Sequence, residues 1–117
     1  MPSGISIHVV DVSRGLVATG MRVEVERVSP QRVPVCSGTI DARGLLDEPA
    51  LGTTFEPGVF EATFFIADYY RRERVRLPAV PFLEIVTYRF GLSDSNQHYH
   101  LPFKMTPWGY SCFRGGA

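Results

Sequence analysis

Lysine is almost missing from this chain of 117 residues: Lys104 is the only one, and arginine carries the rest of the positive charge. An excess of either sign is missing too, since Lys plus Arg and Asp plus Glu number 12 each. Nucleic-acid and anionic-membrane partners ordinarily call for a basic surplus, so neither is expected. No apolar run approaches the roughly 20 residues that a membrane-crossing helix needs. The opening MPSGISIHVV has neither a charged leader nor a cleavable apolar stretch, so a cytoplasmic location is expected. Cysteine is scarce: Cys36 and Cys112 are too few and too far apart for a disulfide framework or a zinc site. Each is expected as a small buried residue in an apolar strand. A metal-free, cofactor-free protein follows as the expectation. Histidine is the last scarcity, with His8, His98 and His100 the only three.

What the chain does have is a hydrophobic share of 44% and frequent Gly and Pro punctuation. That suits one globular domain over residues 1–117, large enough to bury about two thirds of its unfolded surface. Apolar residues recur mainly at period two, the signature of half-buried strands. Residues 5–12 place Ser6, His8, Val10 and Val12 on one face and Ile7, Val9 and Asp11 on the other. Residues 21–28 alternate as cleanly, and further strands are read at 35–40, 51–55, 59–65, 82–90, 97–103 and 108–113. Residues 41–49 read as a charged loop around Gly44. The one helical candidate, IADYYRRER over 66–74, carries its arginines late, where they suit the helix dipole. About eight short strands with one helix predict an all-β antiparallel sandwich.

The chemistry concentrates near the end of the chain. His98 and His100 lie two apart on a strand, so both imidazoles share a face. Histidine exchanges protons near neutral pH, which makes such a pair a candidate for acid–base work. By pattern alone, His8 reads as a buried histidine donating to a backbone carbonyl. Arg71, Arg72, Arg74 and Arg76 read as a solvated face, and Tyr99, Trp108 and Tyr110 as packing or interface aromatics. Asp11 reads as structural, accepting hydrogen bonds from the turn that follows it.

Three blocks, in order along the chain, resemble a known family. His8-Val9-Val10-Asp11 with Gly15 is similar to an amino-terminal signature, and Phe82-Leu83-Glu84-Ile85-Val86 to a central strand. Gln97-His98-Tyr99-His100-Leu101-Pro102 and Thr106-Pro107-Trp108-Gly109-Tyr110-Ser111 together match a carboxy-terminal signature closely. The family is the transthyretin-related proteins, and histidine at both 8 and 100 resembles its 5-hydroxyisourate hydrolase branch. The transport branch has lysine and threonine there.

The resemblance implies an eight-stranded transthyretin-like β-sandwich that assembles as a homotetramer, with sites where subunits face each other. It implies hydrolytic opening of a small heterocycle, 5-hydroxyisourate, to 2-oxo-4-hydroxy-4-carboxy-5-ureidoimidazoline in urate degradation, without a metal or cofactor. His8 and His100 are the catalytic candidates it implies. Arg43, His98 and Arg114 are the candidates for holding substrate.

Two departures stand beside these matches. The family places its substrate arginine after the loop glycine, where this chain has Leu45, with Arg43 two positions earlier. The family ending Tyr-Arg-Gly-Ser reads here Phe113-Arg114-Gly115-Gly116-Ala117, which keeps the arginine but not the hydroxyls. Two alternatives therefore stay open: an enzyme acting on a different cyclic amide, or a non-catalytic protein that binds a small ligand.

Overall fold

The computed structural model describes residues 3–116. Eight strands form two four-stranded sheets: β1 (Gly4–Asp11), β2 (Leu16–Val17), β3 (Arg22–Ser29), β4 (Val33–Thr39), β5 (Gly58–Phe64), β6 (Val86–Leu92), β7 (His98–Thr106) and β8 (Gly109–Cys112). One sheet runs β2-β1-β7-β8 and the other β4-β3-β5-β6. The single α-helix among the described residues, α1 (Ile66–Arg72), lies between β5 and β6, neighbouring strands of the second sheet. This is the expected sandwich with one short helix. Every strand pair is antiparallel except β1 with β7, which run parallel from Gly4↔His98 to Asp11↔Met105. No hairpin connects these two, so nothing local forces them to oppose each other.

The period-two pattern decides which faces meet. Ile5, Ile7 and Val9 from β1, and Tyr99, Leu101, Phe103 and Met105 from β7, turn inward and are buried. Val23, Val25, Phe60, Ala62 and Phe64 answer from the other sheet. Phe64 and Phe103 stack across the gap with ring centroids 3.8 Å apart. Residues of this size contribute roughly 1.5–3 kcal/mol each on burial. With the odd residues of β1 and β7 held in the core, Ser6, His8, His98 and His100 must stand on the outer face.

Several segments depart from the period-two reading. Residues 51–55 are not a strand: a 3-10 helix at Pro49–Gly52 takes their place, with Pro at its start and Leu51 buried. Proline cannot donate to a ladder and pre-sets a helical φ, so a turn wins over extension. β6 begins at Val86 rather than at 82, because Pro78 and Pro81 interrupt the chain before it and leave Phe82 exposed. α1 ends at Arg72, two residues early, where Glu73 closes the turn and Arg74 takes a positive φ of 59°. Cys36 and Cys112 are half-buried rather than buried, and both are free thiols.

Among the described residues, Asp11 is the one polar or charged residue fully inside. It accepts hydrogen bonds from Ser13 Oγ (2.6 Å), Arg14 Nε (2.9 Å), Tyr69 (3.3 Å) and Tyr70 (2.7 Å). Burial by itself would raise its pKa, but Ser13, Arg14 and Tyr70 outweigh burial and hold it below the ordinary value. The residue pins the β1 end to α1, a wider structural role than the local turn predicted for it.

Candidate active site

Parallel pairing puts Ser6 level with His100 and His8 level with Pro102. His8 and His100 are therefore diagonal neighbours on one sheet face, and side chains at such positions stay within mutual reach when they are long. His8 and His98 both act on His100: after burial, which is the larger cause, these two neighbours depress its pKa below the usual imidazole value. At neutral pH, His100 is accordingly an uncharged ring with a basic nitrogen.

The 41–46 loop holds His8 from the side. Val9 N–H donates to Gly44 O at 2.9 Å and Leu46 N–H to Ile7 O at 3.1 Å, so the loop runs as an antiparallel partner with Leu45 opposite His8. His8 Nε2–H donates to the carbonyl of Arg43 at 3.0 Å. A carbonyl only accepts, so the hydrogen of the neutral ring is on Nε2 and the lone pair is on Nδ1. Gly44 makes this approach possible: its φ is +86°, and a Cβ there would sit 2.6 Å from His8 Nε2.

The chain after β8 holds His100. Gly115 N–H donates to the His100 carbonyl at 2.7 Å, and a Cβ on Gly115 would lie 3.0 Å from the ring's Cδ2. Arg114 anchors this segment, its guanidinium 3.9 Å from the Tyr99 ring centroid and 2.8 Å from Gln97 Oε1. Ser6 Oγ stands between the other two rings, 2.7 Å from His98 Nε2 and 2.6 Å from His100 Nδ1.

The fold thus gathers His8, His98 and His100 on one face. It does not turn the guanidinium groups onto the three imidazoles: of the histidines, Arg114 Nη2 reaches only the His98 backbone carbonyl, at 3.4 Å. Arg43 turns its own back to Asp41 at 2.7 Å, and only its carbonyl touches His8. Arg114 spends its guanidinium on Tyr99 and Gln97. Tyr99 packs inward and accepts hydrogen bonds from Ser93 N–H (3.1 Å) and Asp94 N–H (3.0 Å), as a packing aromatic would. Ser6 and Gly115 carry no signal of their own by residue type. For Ser6 the available signal was its place two before His8 on the same strand face. Among the described residues, no cluster of His, Cys, Asp and Glu is arranged to hold a metal ion.

Comparison with known proteins bears on the family and the fold. The family model described as the HIUase/Transthyretin family matches residues 5–115. The 5-hydroxyisourate hydrolase of Deinococcus radiodurans is 40% identical over 114 residues, covering 96% of this chain and 95% of that protein. Among solved structures, an (S)-allantoin synthase superposes with a TM-score of 0.92 at 32% identity over 98% of this chain. The chain spans only 44% of that protein's length. The Klebsiella pneumoniae 5-hydroxyisourate hydrolase superposes with a TM-score of 0.78 over 97% of this chain and 99% of its own, and at 23% identity it speaks for the fold.

Proposed function

This chain belongs to the HIUase/transthyretin family, and we propose that it hydrolyses 5-hydroxyisourate to 2-oxo-4-hydroxy-4-carboxy-5-ureidoimidazoline in urate degradation. The observation that carries the reading is the pairing of His8 with His100, each with one ring nitrogen held by the protein. Opening the ring amide requires that water lose a proton, that the carbonyl oxygen tolerate negative charge, and that the leaving nitrogen gain a proton. His100, kept neutral by burial and by its neighbours, takes the proton of the attacking water. His8, ordered by the Arg43 carbonyl, faces the substrate from the adjoining strand and assists at the leaving nitrogen. His98 supports His100, while Arg43 and Arg114 hold the substrate once their guanidinium groups release Asp41 and Gln97.

The residues form an open patch on the outer face of sheet β2-β1-β7-β8, which suits a site completed by a second copy of the chain. A cytoplasmic homotetramer is part of the proposal. No helix among the described residues is long and apolar enough to cross a membrane.

Acid–base help of this kind is worth roughly 10² to 10⁴-fold in rate. Purified protein is expected to accelerate the decay of freshly generated 5-hydroxyisourate, with His8→Ala and His100→Ala losing most of that acceleration. No acceleration by the wild-type protein would sink the assignment. Leu45 opposite His8 favours one second reading, hydrolysis of a different cyclic amide by the same histidines. Turnover of such a compound with none of 5-hydroxyisourate would select it.

A further inference from the structure

We propose that Ser6 is a positioning residue of this site: its hydroxyl joins His98 to His100, sets the tautomer of His100, and passes a proton between the two rings. The mechanistic consequence rests on the hydrolase reading above; the tautomer assignment does not.

The tautomers follow from a single carbonyl. Ser3 O lies 3.0 Å from His98 Nδ1 and has only lone pairs to offer, so Nδ1 carries the hydrogen. In a neutral ring, Nε2 is then bare and must accept. The group beside it is Ser6 Oγ at 2.7 Å, which therefore donates its only hydrogen to His98. With that hydrogen committed, Ser6 Oγ meets the nitrogen at 2.6 Å as an acceptor, and His100 Nδ1 must carry a hydrogen. His100 Nε2 is left with the lone pair. A hydroxyl between two imidazoles thus decides which nitrogen of His100 is the base. Such networks fix side chains more firmly than single bonds do.

The same three groups move charge without losing atoms. When His100 Nε2 takes a proton from water, its Nδ1–H bond breaks and that proton forms a new O–H bond on Ser6. The original Ser6 hydrogen moves to His98 Nε2. His98 becomes the imidazolium, with its Nδ1–H still donated to Ser3 O. His100 becomes neutral again, now carrying its hydrogen on Nε2, ready to donate. The positive charge has left the ring nearer His8, where like charges would oppose each other. The titratable groups that act on His100 are His8, from β1, and His98, from its own strand. Arg114, in the segment packed beside it, directs its guanidinium to Tyr99 and Gln97.

With only three histidines, long-range ¹H–¹⁵N correlation spectra of the whole chain can assign each ring. At pH 8, His98 and His100 are expected as Nδ1–H tautomers and His8 as Nε2–H. Ser6→Ala should convert His100 to a mixture or to Nε2–H. It should also lower kcat by about tenfold or more, within the range of acid–base help, and move the acid limb of kcat to lower pH, because His100 alone then holds the charge. Ser6→Thr keeps a hydroxyl and should restore all three readings. An Nε2–H tautomer at His100 in the wild type would overturn the proposal. So would a Ser6→Ala protein whose tautomers and pH profile match the wild type. If the wild type shows no hydrolysis, the functional reading fails while the spectra still decide the tautomers.

Discussion

His8 and His100 reach one face through strands from opposite ends of the chain, and each is oriented by a partner of a different kind: a loop carbonyl for one, a hydroxyl for the other. The residue that breaks the pattern is Leu45. It pairs across His8 at the position where the resemblance calls for arginine, while Arg43 folds back onto Asp41. That ion pair is exposed and screened by solvent, so Arg43 can leave Asp41 at small cost. Arg43→Ala is expected to raise KM for 5-hydroxyisourate several-fold with kcat little changed; an unaltered KM would leave the residue only its carbonyl role. Leu45→Arg is expected to raise kcat/KM by about tenfold, the effect of one new charge-assisted hydrogen bond near 1.5 kcal/mol. Initial-rate measurements on both variants check these outcomes. The depressed pKa of His100 also sets a direction for the pH profile. The basic form persists below the ordinary imidazole value of about 6.5, so activity should hold through neutrality and fall only on the acid side of it. A profile that falls above pH 7 would place the base elsewhere.

At the scale of elements, the site depends on a loop and a strand end that lie on the sheet without belonging to its main ladder. Gly44 allows the 41–46 loop to press against His8, in a backbone conformation that other residues avoid. Gly44→Ala is expected to cost about 1–3 kcal/mol of stability from the positive φ alone. The added carbon would also collide with His8 Nε2, so activity should fall further than stability does. Thermal unfolding together with kcat measures the two separately. Asp11 accepts from four donors, and the two from Tyr69 and Tyr70 tie the end of β1 to α1. Asp11→Asn brings an amide N–H₂ group among those donors, and a loss of about 2–3 kcal/mol is expected by denaturant unfolding. A loss below half a kcal/mol would mean that the tyrosines hold α1 without it.

For the whole molecule, the arrangement of outer faces governs behaviour. Leu16 on β2, Tyr110 on β8, and Val12 and Trp108 in the turns beside them are exposed along the histidine-bearing sheet. Exposed apolar groups on one sheet suit an interface between copies. Light scattering is expected to report four times the 13.1 kDa chain mass, and Trp108→Glu to shift the species toward smaller ones with loss of activity. A fully active monomer would count against shared sites. Stability has its own pH signature. Because the folded pKa of His100 is lowered, the unfolded chain binds that proton first, so this residue contributes a loss of stability as pH falls below about 6.5. Asp11 adds a second loss at more acid pH: its folded pKa is also lowered, so its contribution is present above about 3.9 and disappears as pH falls through the folded value.

Periodicity in the chain determined most of the architecture, because a side chain's face in a strand follows from counting by two. Ser6 with His8, and His98 with His100, were assigned to common faces by that rule, and the core residues to the opposite ones. The helix at α1 and the turn at Gly44 were legible for equally local reasons. Local rules stop at pairing. That β1 lies beside β7, parallel and level at Ser6 and His100, depends on contacts between residues more than ninety positions apart. Only the tertiary structure decided that a serine hydroxyl falls between two imidazoles, and that Leu45 faces His8 while Arg43 turns aside. Register between distant strands is set by the packing of both sheets at once, and no single segment contains it.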